Sequence, residues 1–114
     1  MNYKEERPWG TFENLLDAEY CKVKTITIKP GQAPSYQYHY KRSEVYVIVK
    51  GKALIKLDGV EKEYNIGDTV IIPVLTKHKV TNIGNEDLIF IEIQHGEYFG
   101  EDDIVRLEDN YGRI

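Results

Sequence analysis

Two histidines, a glutamate and a glutamine are the residues of this sequence whose types and spacing could do chemistry. Gln37 and His39 stand two apart, which turns both side chains to one face of a β-strand. Glu44 follows five residues after His39, and His78 lies far downstream. Two imidazoles, one carboxylate and one amide oxygen form a four-ligand set suited to a borderline divalent cation. One carboxylate leaves about one positive charge at such a centre, enough for Lewis-acid action on an oxygen ligand. The ion should leave when the histidines protonate at acid pH. Taken singly, each residue has a plainer reading: a polar pocket for Gln37 and His39, a solvated strand end for Glu44.

Strands must position these groups. Residues 22–29 (KVKTITIK), 45–50 (VYVIVK), 53–58 (ALIKLD), 68–73 (DTVIIP), 78–82 (HKVTN) and 86–94 (EDLIFIEIQ) are rich in β-branched side chains. Gly, Pro, Asn and Asp separate them. Asp58-Gly59 has the chemistry of a two-residue hairpin turn. Short strands with such punctuation predict an antiparallel all-β barrel or sandwich, and no helical period exceeds a turn or two. On the last long strand Glu92 and Gln94 alternate with Ile91 and Ile93, so one face is polar and points either into the barrel or to solvent. Tyr36, Tyr38 and Tyr40 fall opposite Gln37 and His39. Such an aromatic face packs on a second sheet or a partner subunit, and a homodimer is expected. From Gly96 the chain turns acidic and reads as an irregular or short helical tail.

The 114 residues fit one domain, 1–114. The net charge of -4 gives no electrostatic reason to expect nucleic acid or an anionic membrane as partner. The single cysteine, Cys21, can form no internal disulfide and favours a reducing compartment, the cytoplasm. Residues 1–10 hold no apolar run that could be a signal peptide, and no segment approaches the roughly 20 apolar residues of a membrane span.

Two blocks give the ligands a context. In the first, Gly31 is followed after five residues by Gln37-x-His39, then four residues, Glu44, six residues and Gly51. In the second, Gly67 is followed after five residues by Pro73, then by His78 and Asn82 at spacings of five and four. These blocks resemble the two cupin signature motifs, with Gln37 and Leu75 where histidine and glycine are usual. The resemblance implies a single cupin-type antiparallel β-barrel, a double-stranded β-helix or jelly roll. A narrower resemblance covers nearly the whole chain. Arg7-Pro8-Trp9-Gly10, Ile28-Lys29-Pro30-Gly31, Gln37-Tyr38-His39, Arg42-Ser43-Glu44 and residues 96–113 (GEYFGEDDIVRLEDNYGR) are similar to the C-terminal domain of type II mannose-6-phosphate isomerases, a domain commonly fused to a mannose-1-phosphate guanylyltransferase. Departures lie beside the metal set. Val45-Tyr46 replace a His-Trp pair, and Tyr40-Lys41 replace histidines.

The resemblance implies a metal-dependent aldose-ketose isomerase that interconverts mannose 6-phosphate and fructose 6-phosphate through an enediol(ate). That reaction needs a cation at the developing oxyanion, a base at carbon and cationic groups on the phosphate. Gln37, His39, Glu44 and His78 would hold the ion: zinc first, with nickel, cobalt, iron or manganese also suited to nitrogen and oxygen ligands. Arg42 is the expected phosphate anchor, two residues before Glu44 and on its side, with Lys77 as a second cation. Lys41 and Arg106 follow, Arg106 more readily as a salt-bridge partner. Glu92 is the candidate base, Lys24 a further catalytic candidate, and Gln94 a hydrogen-bonding substrate contact. The alternatives are a cupin that binds metal and sugar phosphate without turnover, as a sensor or accessory protein, and an iron-dependent oxygenase. Trp9 is expected to pack.

Overall fold

A computed structural model describes residues 3–112. Met1, Asn2, Arg113 and Ile114, the ends of the expected 1–114 domain, lie outside the described residues. The strands are β1 (Tyr3–Arg7), β2 (Gly10–Asp17), β3 (Cys21–Ile28), β4 (Tyr36–Tyr38), β5 (Arg42–Lys50), β6 (Ala53–Leu57), β7 (Val60–Tyr64), β8 (Thr69–Ile72), β9 (His78–Asn82), β10 (Leu88–Gly96) and β11 (Val105–Glu108). They form two antiparallel sheets, ordered β1-β2-β3-β10-β5-β8 and β11-β4-β9-β6-β7. This is the all-β architecture expected of a cupin barrel. Among the described residues there is no helix. The tail is irregular over residues 97–104 and then adds β11 to the smaller sheet, so its helical alternative is set aside.

The barrel's inward rows explain where the site lies. Along β3 the buried positions read Lys24, Ile26, Ile28; along β5, Arg42, Glu44, Tyr46, Ile48; along β10, Leu88, Phe90, Glu92, Gln94; along β9, His78, Val80, Asn82. Side chains two apart share a face, so the change from apolar to polar along the β3, β5 and β10 rows is a change along the barrel axis. The register brings these changes together. Phe90 lies opposite Ile26 and Ile48, Glu92 opposite Lys24 and Tyr46, and Gln94 opposite Glu44. One end of the barrel is therefore a hydrocarbon core that includes Ile28, Ile48 and Leu88, where each fully buried side chain contributes about 1.5–3 kcal/mol. The other end carries buried charge.

The turns follow their expected chemistry. Asp58 and Gly59 both take positive φ, 47° and 86°, as a two-residue turn between paired β6 and β7 requires. At the apolar end Asn82 acts as a brace. Its amide donates to the Ile28 and Glu86 carbonyls, and its Oδ1 accepts from the Gly84 N–H. Trp9 packs in the core with Phe12. Of the three tyrosines, Tyr36 is buried within the chain and Tyr40 is exposed.

Candidate metal centre

His39, Glu44 and His78 converge inside the polar end of the barrel. One ligand atom from each lies within 4.8 Å of the other two, and all three side chains are buried. Glu44 stands on β5. His78 opens β9, where it pairs with Gln37 of β4. His39 lies just beyond β4, its carbonyl accepting from the Leu75 N–H at 2.8 Å. Gln37 lines the adjoining cavity, and its Oε1 accepts from Ser35 Oγ at 2.7 Å.

The histidine tautomers follow from their partners. His39 Nδ1 is 2.6 Å from the Asp103 carbonyl, and His78 Nδ1 is 2.9 Å from that of Thr76. A carbonyl only accepts, so both rings donate from Nδ1 and present Nε2 to Glu44. The separations are 3.6 Å from His39 Nε2 to Oε2 and 3.4 Å from His78 Nε2 to Oε1. His78 Nε2 is buried without a hydrogen-bond partner. A ring lone pair facing a carboxylate at this distance calls for a proton or a cation between them. A ring held by a carbonyl at Nδ1 and free at Nε2 is the arrangement that orients metal-ligating histidines. The donor set fits a divalent cation.

Two further side chains grip Glu44. Tyr46 donates its hydroxyl to Oε1 at 2.6 Å, and Arg42 donates Nε–H to Oε2 at 2.9 Å. Burial alone would raise the Glu44 pKa, but His78, Arg42 and His39 hold it well below the usual carboxylate range. Burial pushes the His39 pKa down. His78 is buried too, but the Glu44 carboxylate outweighs that and raises its pKa. Arg42 also places Nη2 3.3 Å from His39 Nε2 and Nη1 3.5 Å from the Gly100 carbonyl. A lone pair serves one partner at a time, so a cation taking His39 Nε2 must displace this guanidinium N–H.

A cavity of about 120 Å³ adjoins the cluster at His78, lined by apolar Trp9, Phe12 and Phe90 and by charged Lys24, Arg42 and Glu92. The polar face of β10 thus points inward. Burial, followed by the Glu44 charge, raises the Glu92 pKa to about 7, against the opposing pull of Lys24, Arg42 and Gln94. Gln94 donates Nε2–H to Glu92 Oε2 at 2.6 Å. Lys24 lies over the Phe12 ring at 4.4 Å and pairs with Glu101. Arg106 lines the cavity.

Two of the expected cations are elsewhere. The Lys77 side chain is exposed and not among those lining the cavity, and its backbone is tied to Asp58. Lys41 is exposed with its ammonium 5.5 Å from the Tyr98 ring. Tyr46 and Asp103 were missed as site residues. Tyr46 had a signal, since it stands two beyond Glu44 on the same strand face. Asp103 had none, because only the fold brings the tail to His39.

The family described as mannose-6-phosphate isomerase C-terminal matches residues 1–109. A mannose-1-phosphate guanylyltransferase of Salmonella montevideo is 46% identical over 94% of this chain and 23% of its own length. The alginate biosynthesis protein AlgA of Pseudomonas aeruginosa is 40% identical over 94% of this chain and 22% of its own length. The capsular polysaccharide assembling protein CapF of Staphylococcus aureus superposes with a TM-score of 0.80 at 24% identity, over 95% of this chain and 34% of its own. The chain spans about a quarter of the length of these curated relatives. Their names correct the expected function. They are named for guanylyl transfer to mannose 1-phosphate and for alginate biosynthesis, not for interconversion of mannose 6-phosphate and fructose 6-phosphate.

Proposed function

The chain belongs to the mannose-6-phosphate isomerase C-terminal family, and from that membership we propose that it is a divalent-metal cupin whose cavity takes a mannose phosphate in the service of activated-mannose synthesis. One observation carries the reading: two histidines, each oriented by a carbonyl at Nδ1, turn Nε2 toward one buried carboxylate. His39, Glu44 and His78 would hold the ion, with Gln37 as a neutral fourth donor. Zinc is the proposed ion, on nitrogen and oxygen ligands without thiolate. When bound, it supplies Lewis acidity to a ligand oxygen.

The chain's own residues define the rest. Arg42, displaced from His39 Nε2, faces a cavity where a phosphate dianion can take its donors, and a guanidinium suits that geometry. Lys24, which also lines the cavity, adds a second cation. Glu92, titrating at about 7, can accept or return a proton near neutrality. Gln94 aligns the Glu92 carboxyl; it is fully buried and not among the residues that line the cavity, so its role is to hold Glu92 rather than to touch a ligand. Pairing of two copies and a cytoplasmic location complete the proposal. The first rests on the aromatic face that includes exposed Tyr40, the second on the lone Cys21. Among the described residues no helix is long and apolar enough to cross a membrane.

Calorimetric titration of zinc-loaded protein with mannose 1-phosphate and mannose 6-phosphate tests the ligand class. We expect binding that a chelator abolishes and that Arg42→Ala weakens at least tenfold. Equal binding by chelated and loaded protein would overturn it.

A further inference from the structure

His39 differs from the other two candidate ligands in its backbone. Glu44 lies inside β5 and His78 is the first residue of β9, both paired with neighbouring strands. His39 lies past the end of β4, in the stretch before β5, so something else must hold its ring. That role falls to the connection between β10 and β11. The Asp103 carbonyl accepts from His39 Nδ1–H at 2.6 Å. The Asp103 carboxylate reaches the two residues that follow His39. Oδ1 accepts from the Tyr40 N–H and Oδ2 from the Lys41 N–H, each at 3.0 Å. One residue thus grips both the ring and the following backbone, closing a small hydrogen-bonded cycle in which the carbonyl cannot drift from the ring. Neighbouring contacts fasten the same segment. The Glu97 N–H donates to the Lys41 carbonyl, Gly100 accepts from Arg42, and Glu101 pairs with Lys24.

We propose that Asp103 is a positioning residue for the metal centre, coupling the C-terminal segment 97–104 to the ion through His39. This rests on the metal reading above. Donation from Nδ1 selects the tautomer, fixes the ring plane and makes Nε2 a better donor, and loss of such a partner costs 10–100-fold in metal affinity. The two N–H groups lie on separate carboxylate oxygens, a geometry that aspartate supplies and asparagine, with one acceptor oxygen, does not. Coupling is reciprocal: a segment that strengthens zinc binding is itself held more firmly by zinc.

The test is competition of Zn²⁺ against a chromophoric chelator in the full chain. Asp103→Ala keeps the carbonyl but frees it from the carboxylate bonds to the Tyr40 and Lys41 N–H groups, and should weaken zinc binding severalfold, with Asp103→Asn weakening it less. Asp102→Ala removes a neighbouring acid that bonds only the Tyr98 hydroxyl among the described residues, and should stay within twofold of the parent. Hydrogen exchange on the unaltered protein needs no variant. Zinc should slow exchange at Tyr40, Lys41 and residues 97–104. Parental zinc affinity in Asp103→Ala, or exchange at these amides indifferent to zinc, would overturn the proposal while the metal reading stood. An unaltered chain that binds no zinc would overturn both.

Discussion

Glu92 puts an ionisable carboxyl where burial and the neighbouring Glu44 charge both oppose its ionisation, and its pKa rises to about 7. The folded state therefore holds this proton more tightly than the unfolded chain, whose carboxyl titrates near 4.5. Stability from that difference is fully present below about pH 4.5 and is lost as pH rises through about 7. The full displacement is worth up to about 3 kcal/mol. Glu92→Gln keeps a side-chain amide beside Gln94 but cannot ionise, so its stability should fall less than the parent's between pH 5 and pH 8. Denaturant melts of the chelated proteins at the two pH values check this, and parallel pH dependences would contradict it. At this scale the sequence was legible where chemistry and spacing agreed. His39, Glu44 and His78 could be read as one set and do lie together, and the inward face of Glu92 could be read from the alternation of β10. Lys77 was misplaced as a second cation, because it precedes β9 in a loop held to Asp58 and its side chain is exposed. Arg42 was placed on the correct side, but its bonds to Glu44 and His39 depend on side-chain geometry that spacing does not carry.

Leu75 shows what a departure from a pattern costs an element. It stands where the cupin motif usually has glycine, and its φ is 67°, a left-handed conformation that costs a residue with a side chain roughly 1–2 kcal/mol. The conformation is held because the Leu75 N–H donates to the carbonyl of His39. The side chain is largely exposed and loses little packing when removed. Leu75→Gly should therefore raise stability by up to about 1 kcal/mol, the relief of strain being partly offset by the freer unfolded chain. A denaturant midpoint that falls would contradict this. Gly96 meets the opposite constraint where β10 leads into the segment that clamps His39. Its φ is 144°, and a Cβ there would stand 2.4 Å from the Lys41 carbonyl oxygen. Strand legibility divides along similar physical lines. Parts of β3, β5, β6, β8, β9 and β10 could be read because each buries one face and alternates. The edge strands β1 and β7 are mostly exposed and charged, YKEER and VEKEY, and owe their form to ladder bonds with β2 and β6. Three-residue β4 and the tail strand β11 are too short to show a period.

Across the whole molecule, buried charge is concentrated at one end of the barrel and hydrocarbon at the other. Lys24, His39, Arg42, Glu44, His78 and Glu92 are all buried. Ionised groups removed from water cost several kcal/mol each unless paired or bound to an ion, so a barrel end of this kind is costly as structure alone. The metal reading gives that cost a purpose, and the tail, which read in the sequence as an appendage, becomes part of the site it closes. The fold class was legible because turn chemistry and alternation agree throughout. The guanylyltransferase-named relatives were legible too, through the resemblance of the whole chain to a domain commonly fused to such an enzyme, although most of their length lies outside the region matched. The central claim is that His39, Glu44 and His78 bind a divalent ion. Its most direct test is the metal content of the purified chain after zinc loading and desalting, compared with a His39→Ala, His78→Ala double variant. The account predicts about one equivalent of zinc in the parent chain and none in the variant. A parent chain without zinc, or a variant that retains it, would contradict it.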